Sequence, residues 1–207
     1  MVMYVVSMVM YVVFLTPLPL PVRTDECELT LNQNSAHQRL YLKEGKIRWG
    51  KWDIPSLPHL DTFDCRTQVL CEEPLSGRCY WEVEWNGLVS IGVAFIRIAR
   101  KGEGYECKLG RNSCSWSLDC SNYEYLAWHD NMKTAVALKP AGCHRVGVYL
   151  DWLAGTLTFF KVKIAAKKRE FTLLHTFEHR FSLPLYAGFK IKCDSYVFIC
   201  PQGEKPA

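Results

Sequence analysis

Leu75-Ser-Gly-Arg-Cys-Tyr-Trp-Glu-Val-Glu-Trp-Asn-Gly-Leu-Val-Ser-Ile-Gly-Val-Ala-Phe95 is the stretch whose reading decides the fold. In its first half Cys79, Trp81, Val83 and Trp85 alternate with Tyr80, Glu82 and Glu84, the period of two that divides side chains between the faces of a strand. Asn86-Gly87 supplies the two positive-φ positions of a type I′ turn. Val89, Ile91, Val93 and Phe95 then alternate with Ser90, Gly92 and Ala94. A hairpin with two tryptophans on one face predicts the core side of an antiparallel sheet. It is scaffold rather than chemistry.

Working outward, the same alternation recurs on both sides. Leu40–Leu42 and Lys46–Arg48 predict a hairpin about Glu44-Gly45, and Glu28–Leu31 and Val69–Cys71 are short strand candidates. Ser115–Leu118, Arg145–Leu150, Thr156–Lys161, Thr172–Phe177, Leu183–Tyr186 and Tyr196–Cys200 follow. Ala36–Arg39 is compatible with a single helical turn. Short strands at this spacing, with almost no helical periodicity, predict an all-β fold built as a sandwich of two antiparallel sheets. Seven tryptophans in 207 residues require a large buried volume, which favours one broad core.

A formal charge of +4 is too small to argue for nucleic acid, and most basic residues are scattered. Lys161, Lys163, Lys167, Lys168 and Arg169 are expected as a solvated loop between two strands. No nucleic-acid partner is expected. Ten cysteines lack any C-x-x-C pair, which argues against zinc ribbons and thioredoxin-like chemistry. Reduced thiols in a cytoplasmic protein are the preferred reading over a disulfide framework, because a domain this large does not need staples. No metal and no cofactor are expected. His129-Asp130 has no nucleophile or second carboxylate placed with it, and His175 and His179 flank a strand-like segment rather than sharing a helix face.

Residues 1–24 stand apart. Met-Val-Met-Tyr-Val-Val-Ser is followed by the same unit with one change, and Pro17-Leu-Pro-Leu-Pro21 comes next. A signal peptide would need a basic start and a small-residue cleavage site. A membrane helix would need about 20 apolar residues before the prolines. The expectation is an unstructured low-complexity leader, with no membrane contact unless it inserts.

The strand signatures, in order, resemble those of the PRY-SPRY family. The PRY part is similar at Leu29 through Leu42 and at Ile47-Arg-Trp-Gly50, although Leu31-Asn32-Gln33 stands where the family usually has Leu-Asp-Pro. The SPRY part is similar at Pro74 through Trp85, at Val146 through Phe160, and at Pro184-Leu-Tyr-Ala-Gly-Phe189. The resemblance divides the chain into a PRY segment at 25–72, a SPRY segment at 73–200 packed with it as one domain, and a tail at 201–207. The copies it resembles in particular end fish tripartite-motif ligases, NACHT leucine-rich-repeat receptors and stonustoxin-like proteins. The resemblance implies a bent antiparallel β-sandwich of the concanavalin-like jelly-roll type, without catalytic activity, whose loops at one end grip another protein or a peptide. It further implies a role in innate immune or ubiquitin signalling.

The family's variable loops fall at about 51–66, 96–115 and 119–137. The residue types that dominate interfaces, Trp, Tyr and Arg, are well represented there. The expected partner-binding residues are Trp52, Asp53, Arg97, Arg100, Lys101, Tyr105, Arg111, Asp119, Tyr123, Tyr125 and His129. Some antibody-binding relatives carry two tryptophans just after the position matching Trp116. Asp119 and Ser121 stand there in this chain, so that partner does not transfer. The alternative is a sensor for a small anionic, phosphorylated ligand held by Arg97, Arg100, Lys101 and Arg111. Trp81, Trp85 and Trp116, on alternating strands, are assigned to the core.

Overall fold

The computed structural model describes residues 25–50, 59–166 and 168–202. The leader, the tail beyond 202 and the expected site residues Trp52 and Asp53 lie outside the described residues.

The described residues form β1 (Leu40–Lys43), β2 (Lys46–Trp49), β3 (Gln68–Leu70), β4 (Arg78–Asn86), β5 (Val89–Phe95), β6 (Ser115–Cys120) and β7 (Tyr125–His129). They continue with β8 (Met132–Ala135), β9 (Arg145–Asp151), β10 (Thr156–Ala165), β11 (Lys168–Glu178), β12 (Leu185–Ile191) and β13 (Tyr196–Ile199). A 3-10 turn spans Tyr105–Cys107. Every strand pair is antiparallel. One sheet runs β1-β2-β13-β4-β9-β10-β11 and the other β3-β12-β5-β6-β7-β8, so the fold is an all-β sandwich.

The expected type I′ hairpin does not form: β4 pairs with β9 and β13, β5 pairs with β6 and β12, and of Asn86 and Gly87 only the glycine adopts positive φ. β4 belongs to the seven-stranded sheet and β5 to the six-stranded one, and Gly87 sits at φ 80° in the turn between them. The expected core residues Trp81, Trp85 and Trp116 are 3%, 0% and 1% exposed and belong to one apolar cluster between the sheets. Truncating any of them to Ala would cost about 3–5 kcal/mol through lost burial and the cavity left behind.

Several local expectations are corrected. Glu28–Leu31 forms no strand, only a bridge from Leu31 to Cys71. Residues 119–137 are mainly the β7–β8 hairpin rather than a loop, turning at Asp130-Asn131, where both residues adopt positive φ. Of the basic residues expected in a loop, Lys161 and Lys163 lie on β10 and Lys168 and Arg169 on β11, which are paired strands, and Lys167 lies outside the described residues. Lys161 is buried and donates a hydrogen bond to the Lys139 carbonyl at 3.1 Å. The expectation of reduced thiols is corrected at one pair: Cys27 and Cys79 form a disulfide, with Cα atoms 5.5 Å apart. The other eight cysteines are free.

The alternation in β4 fails on its outer face, where Tyr80 and Glu82 are each 4% exposed. The segment around Cys27 covers them, its amide donating to the Tyr80 carbonyl at 3.1 Å. Glu82 accepts from the Tyr80 hydroxyl at 2.7 Å and pairs with Arg145 and Arg169, while Arg169 also reaches Glu26. Such a buried carboxylate is tolerated because it is fully engaged by cations and a hydroxyl.

Candidate recognition surface

The outer face of the six-stranded sheet carries small side chains where its strands meet: Ser90, Gly92 and Ala94 on β5, Ser117 on β6, Gly188 on β12. A trough therefore runs along it. A Cβ on Gly92 would lie 2.8 Å from the Ser117 Cα, so only glycine fits that close approach. The segment 96–114 folds back into part of this trough. Ile98 and Leu109 pack with Phe63, Leu70 and Ala94 in an apolar cluster of their own.

Polar side chains fix this segment. Buried Gln68 of β3 donates to the Cys107 carbonyl at 2.8 Å and accepts from the Leu109 amide at 2.9 Å. The Asn112 amide nitrogen reaches the carbonyls of Tyr105 and Lys108, while its oxygen accepts from the Cys114 amide. These contacts give the loop the local determination of a structured element.

The described site residues then separate into groups. Arg97 lies over the Phe95 ring, with Cζ 5.2 Å from its centre, and Arg100 lies over Phe63 at 4.6 Å. Lys101 donates to the carbonyls of His59 and Thr62 at 3.2 and 2.8 Å. Arg111 is buried over the Trp128 ring and donates to Asp119 Oδ2 at 2.8 Å. The four cations proposed to share one anion pocket are thus engaged separately. Tyr105 and Tyr123 are 56% and 82% exposed, as a contact residue requires.

Three expected contact residues, Arg111, Tyr125 and His129, are corrected. Tyr125 is 0% exposed, packed edge-on against Trp85, and burial raises the pKa of its phenol. Its position on β7 puts it on the inner face. His129 is on the same strand, stacked on Trp116 with ring centres 4.4 Å apart. Its Nδ1 donates to the Ser115 carbonyl at 2.9 Å, which makes it part of the packing rather than a free contact group. The expectation of one loop cluster at a single end is also corrected. Segment 96–114 and the Ser121–Glu124 turn leave opposite ends of β6, about 20 Å apart at strand geometry.

Beyond the end of the packed loop the trough opens into a hollow of about 270 Å³, lined by Leu88, Ser90, Asp119, Leu126, Lys190 and Lys192, with Tyr123 at its mouth. Sequence reasoning missed Lys190 and Lys192. The signal was present in Tyr186-Ala-Gly-Phe-Lys190, where Tyr186, Gly188 and Lys190 alternate outward opposite Ala94, Gly92 and Ser90. Among the described residues, no cluster of three or more His, Cys, Asp or Glu could hold a metal ion.

The SPRY domain profile matches residues 78–202, most of this sandwich. The chain belongs to the SPRY domain family. Stonustoxin subunit beta of Synanceia horrida is 42% identical over 169 residues, covering 80% of this chain and 23% of the toxin subunit. Tripartite motif-containing protein 16 of Mus musculus is 32% identical over 186 residues, covering 87% of this chain and 32% of that protein. The crystal structure of the TRIM65 PSpry domain superposes with a TM-score of 0.74 at 25% identity, covering 86% of this chain and 93% of that one. This SPRY domain therefore spans only about a quarter to a third of those two full-length relatives. SPRY domains are generally non-catalytic protein-interaction modules.

Proposed function

We propose that this SPRY domain is a recognition module that binds a protein or peptide across the outer face of its six-stranded sheet and the loops bounding it. In this reading it acts without catalysis, in the cytoplasm, within innate immune or ubiquitin signalling. The observation that carries it is the combination of a pinned loop, segment 96–114, with exposed aromatic and basic side chains flanking an open trough. Pinning reduces the ordering entropy lost on binding, and Tyr and Arg bring large area with a directed polar group. A separation of about 20 Å between the two segments at the ends of β6 fits within one partner's share of a standard interface.

The test is partner capture from cell extract by the intact chain. Arg97→Ala and Tyr123→Ala abolish capture of the same partner while the melting temperature stays constant. Loss of fold together with capture, or capture unaffected by either change, defeats the reading. The competing reading, a small phosphorylated ligand, has the lysine-lined hollow in its favour. Calorimetry with phosphorylated compounds and no protein partner separates the two.

A further inference from the structure

The hollow beside Asp119 has a charge imbalance that specifies an occupant. Lys190 on its floor is only 8% exposed, an unusual position for an ammonium group. Among the described residues its one ion-pair partner is Asp119, at 3.7 Å. That carboxylate is already shared: Ser90 Oγ donates to Oδ1, and Arg111 donates to Oδ2. Arg111, Lys108 and Lys192 add positive potential at the same point. One carboxylate, already engaged by Arg111, thus serves a hollow lined by two lysines, Lys190 and Lys192. Leu88 and Leu126 supply apolar walls, where a charge-assisted hydrogen bond is stronger than in open water.

The missing charge is small. Glu124 lines the mouth and Asp119 the floor, so a phosphate ester carrying about −1.5 to −2 would meet two like charges. A singly charged carboxylate meets less repulsion and still satisfies the lysines. We infer that this hollow is the subsite for an Asp or Glu side chain of a bound peptide or protein, paired by Lys190 and Lys192. The inference rests on the recognition reading and adds the partner's chemistry to it.

Display selection of random short peptides on the intact chain tests it, alongside Lys190→Gln and, as a second variant at a more exposed position, Lys192→Gln. Peptides selected on the wild type carry a recurrent Asp or Glu. Changing that acid to its amide weakens binding roughly 10- to 100-fold on the wild type, and much less on either folded variant. Peptides without a recurrent acid, or binding that ignores both lysines, overturn the subsite and leave the recognition reading standing. No selected peptide at all overturns both. Inorganic phosphate binding to the hollow at sub-millimolar concentration, measured by titration calorimetry, also overturns the subsite, in favour of a small phosphorylated ligand.

Discussion

The Arg111 guanidinium carbon stands 3.0 Å from the centre of the Trp128 ring, while one of its nitrogens holds the Asp119 carboxylate. A residue selected from the sequence as an exposed contact is instead the clasp that seats segment 96–114 on β6 and β7. Lysine cannot replace it, because an ammonium offers no planar surface to the ring and no fork to the carboxylate. Arg111→Lys therefore destabilises the fold by about 1–2 kcal/mol. Chemical denaturation would show it, and an unchanged midpoint would refute the clasp.

Tyr123 and Tyr125, two residues apart, should behave oppositely. Tyr123 is exposed in the β6–β7 turn, so Tyr123→Ala leaves stability within about 0.5 kcal/mol. Tyr125→Ala removes a fully buried ring packed against Trp85 and costs about 3–5 kcal/mol. Paired thermal melts of the two variants check this contrast.

Burial lowers the Lys190 pKa from its ordinary 10.5 to about 8, outweighing the opposing pull of Asp119. At pH 7 the folded protein therefore holds a buried ammonium at a cost. Between about 8 and 10.5 the unfolded chain binds more protons at this residue than the folded one, so its contribution to stability becomes more favourable as pH rises. Lys190→Met is expected to raise the melting temperature at pH 7, with the gain shrinking as pH climbs through that window. A gain that is independent of pH would show that the ammonium is not the source of the cost. Binding of acidic peptides should weaken over the same rise, as the lysine loses its charge.

The Cys27–Cys79 disulfide closes a loop with a sequence separation of 52 and holds the segment covering Tyr80 and Glu82. Chain-entropy reasoning gives about 4 kcal/mol for a loop of this length, as an upper figure. Cys27→Ser, or treatment of the wild type with dithiothreitol, should lower stability by about 2–4 kcal/mol. Melts run with and without reductant would detect it. Reductant should have no further effect on Cys27→Ser.

Much of the sandwich was legible because its signal is local. Trp81, Trp85 and Trp116 declare an inner face by alternation alone, whereas Asn86-Gly87 marks a turn but not its outcome, because β4 and β5 each pair with strands distant in sequence instead of with each other. What escaped depended on contacts far apart in sequence. Glu82 looks like an exposed strand position, and only Arg145, Arg169 and the segment around Cys27 make its burial possible. Arg111 and Tyr125 carry the side chains of interface residues, yet their roles are set by Trp128 on β7 and by Trp85 on the opposite sheet. Lys190 gave a periodic cue, but the hollow around it exists because Ser90 is small and because segment 96–114 stops short of covering it. Composition cannot report where a loop comes to rest.

Strand order has a consequence for how the protein is made. β13 lies between β2 and β4, so the hairpin formed by residues 40–49 reaches the rest of its sheet only through a strand near residue 199. During vectorial synthesis that early hairpin has no docking edge until almost the whole domain has left the ribosome. Its apolar side, Leu40, Leu42 and Ile47, must wait uncovered in the interval.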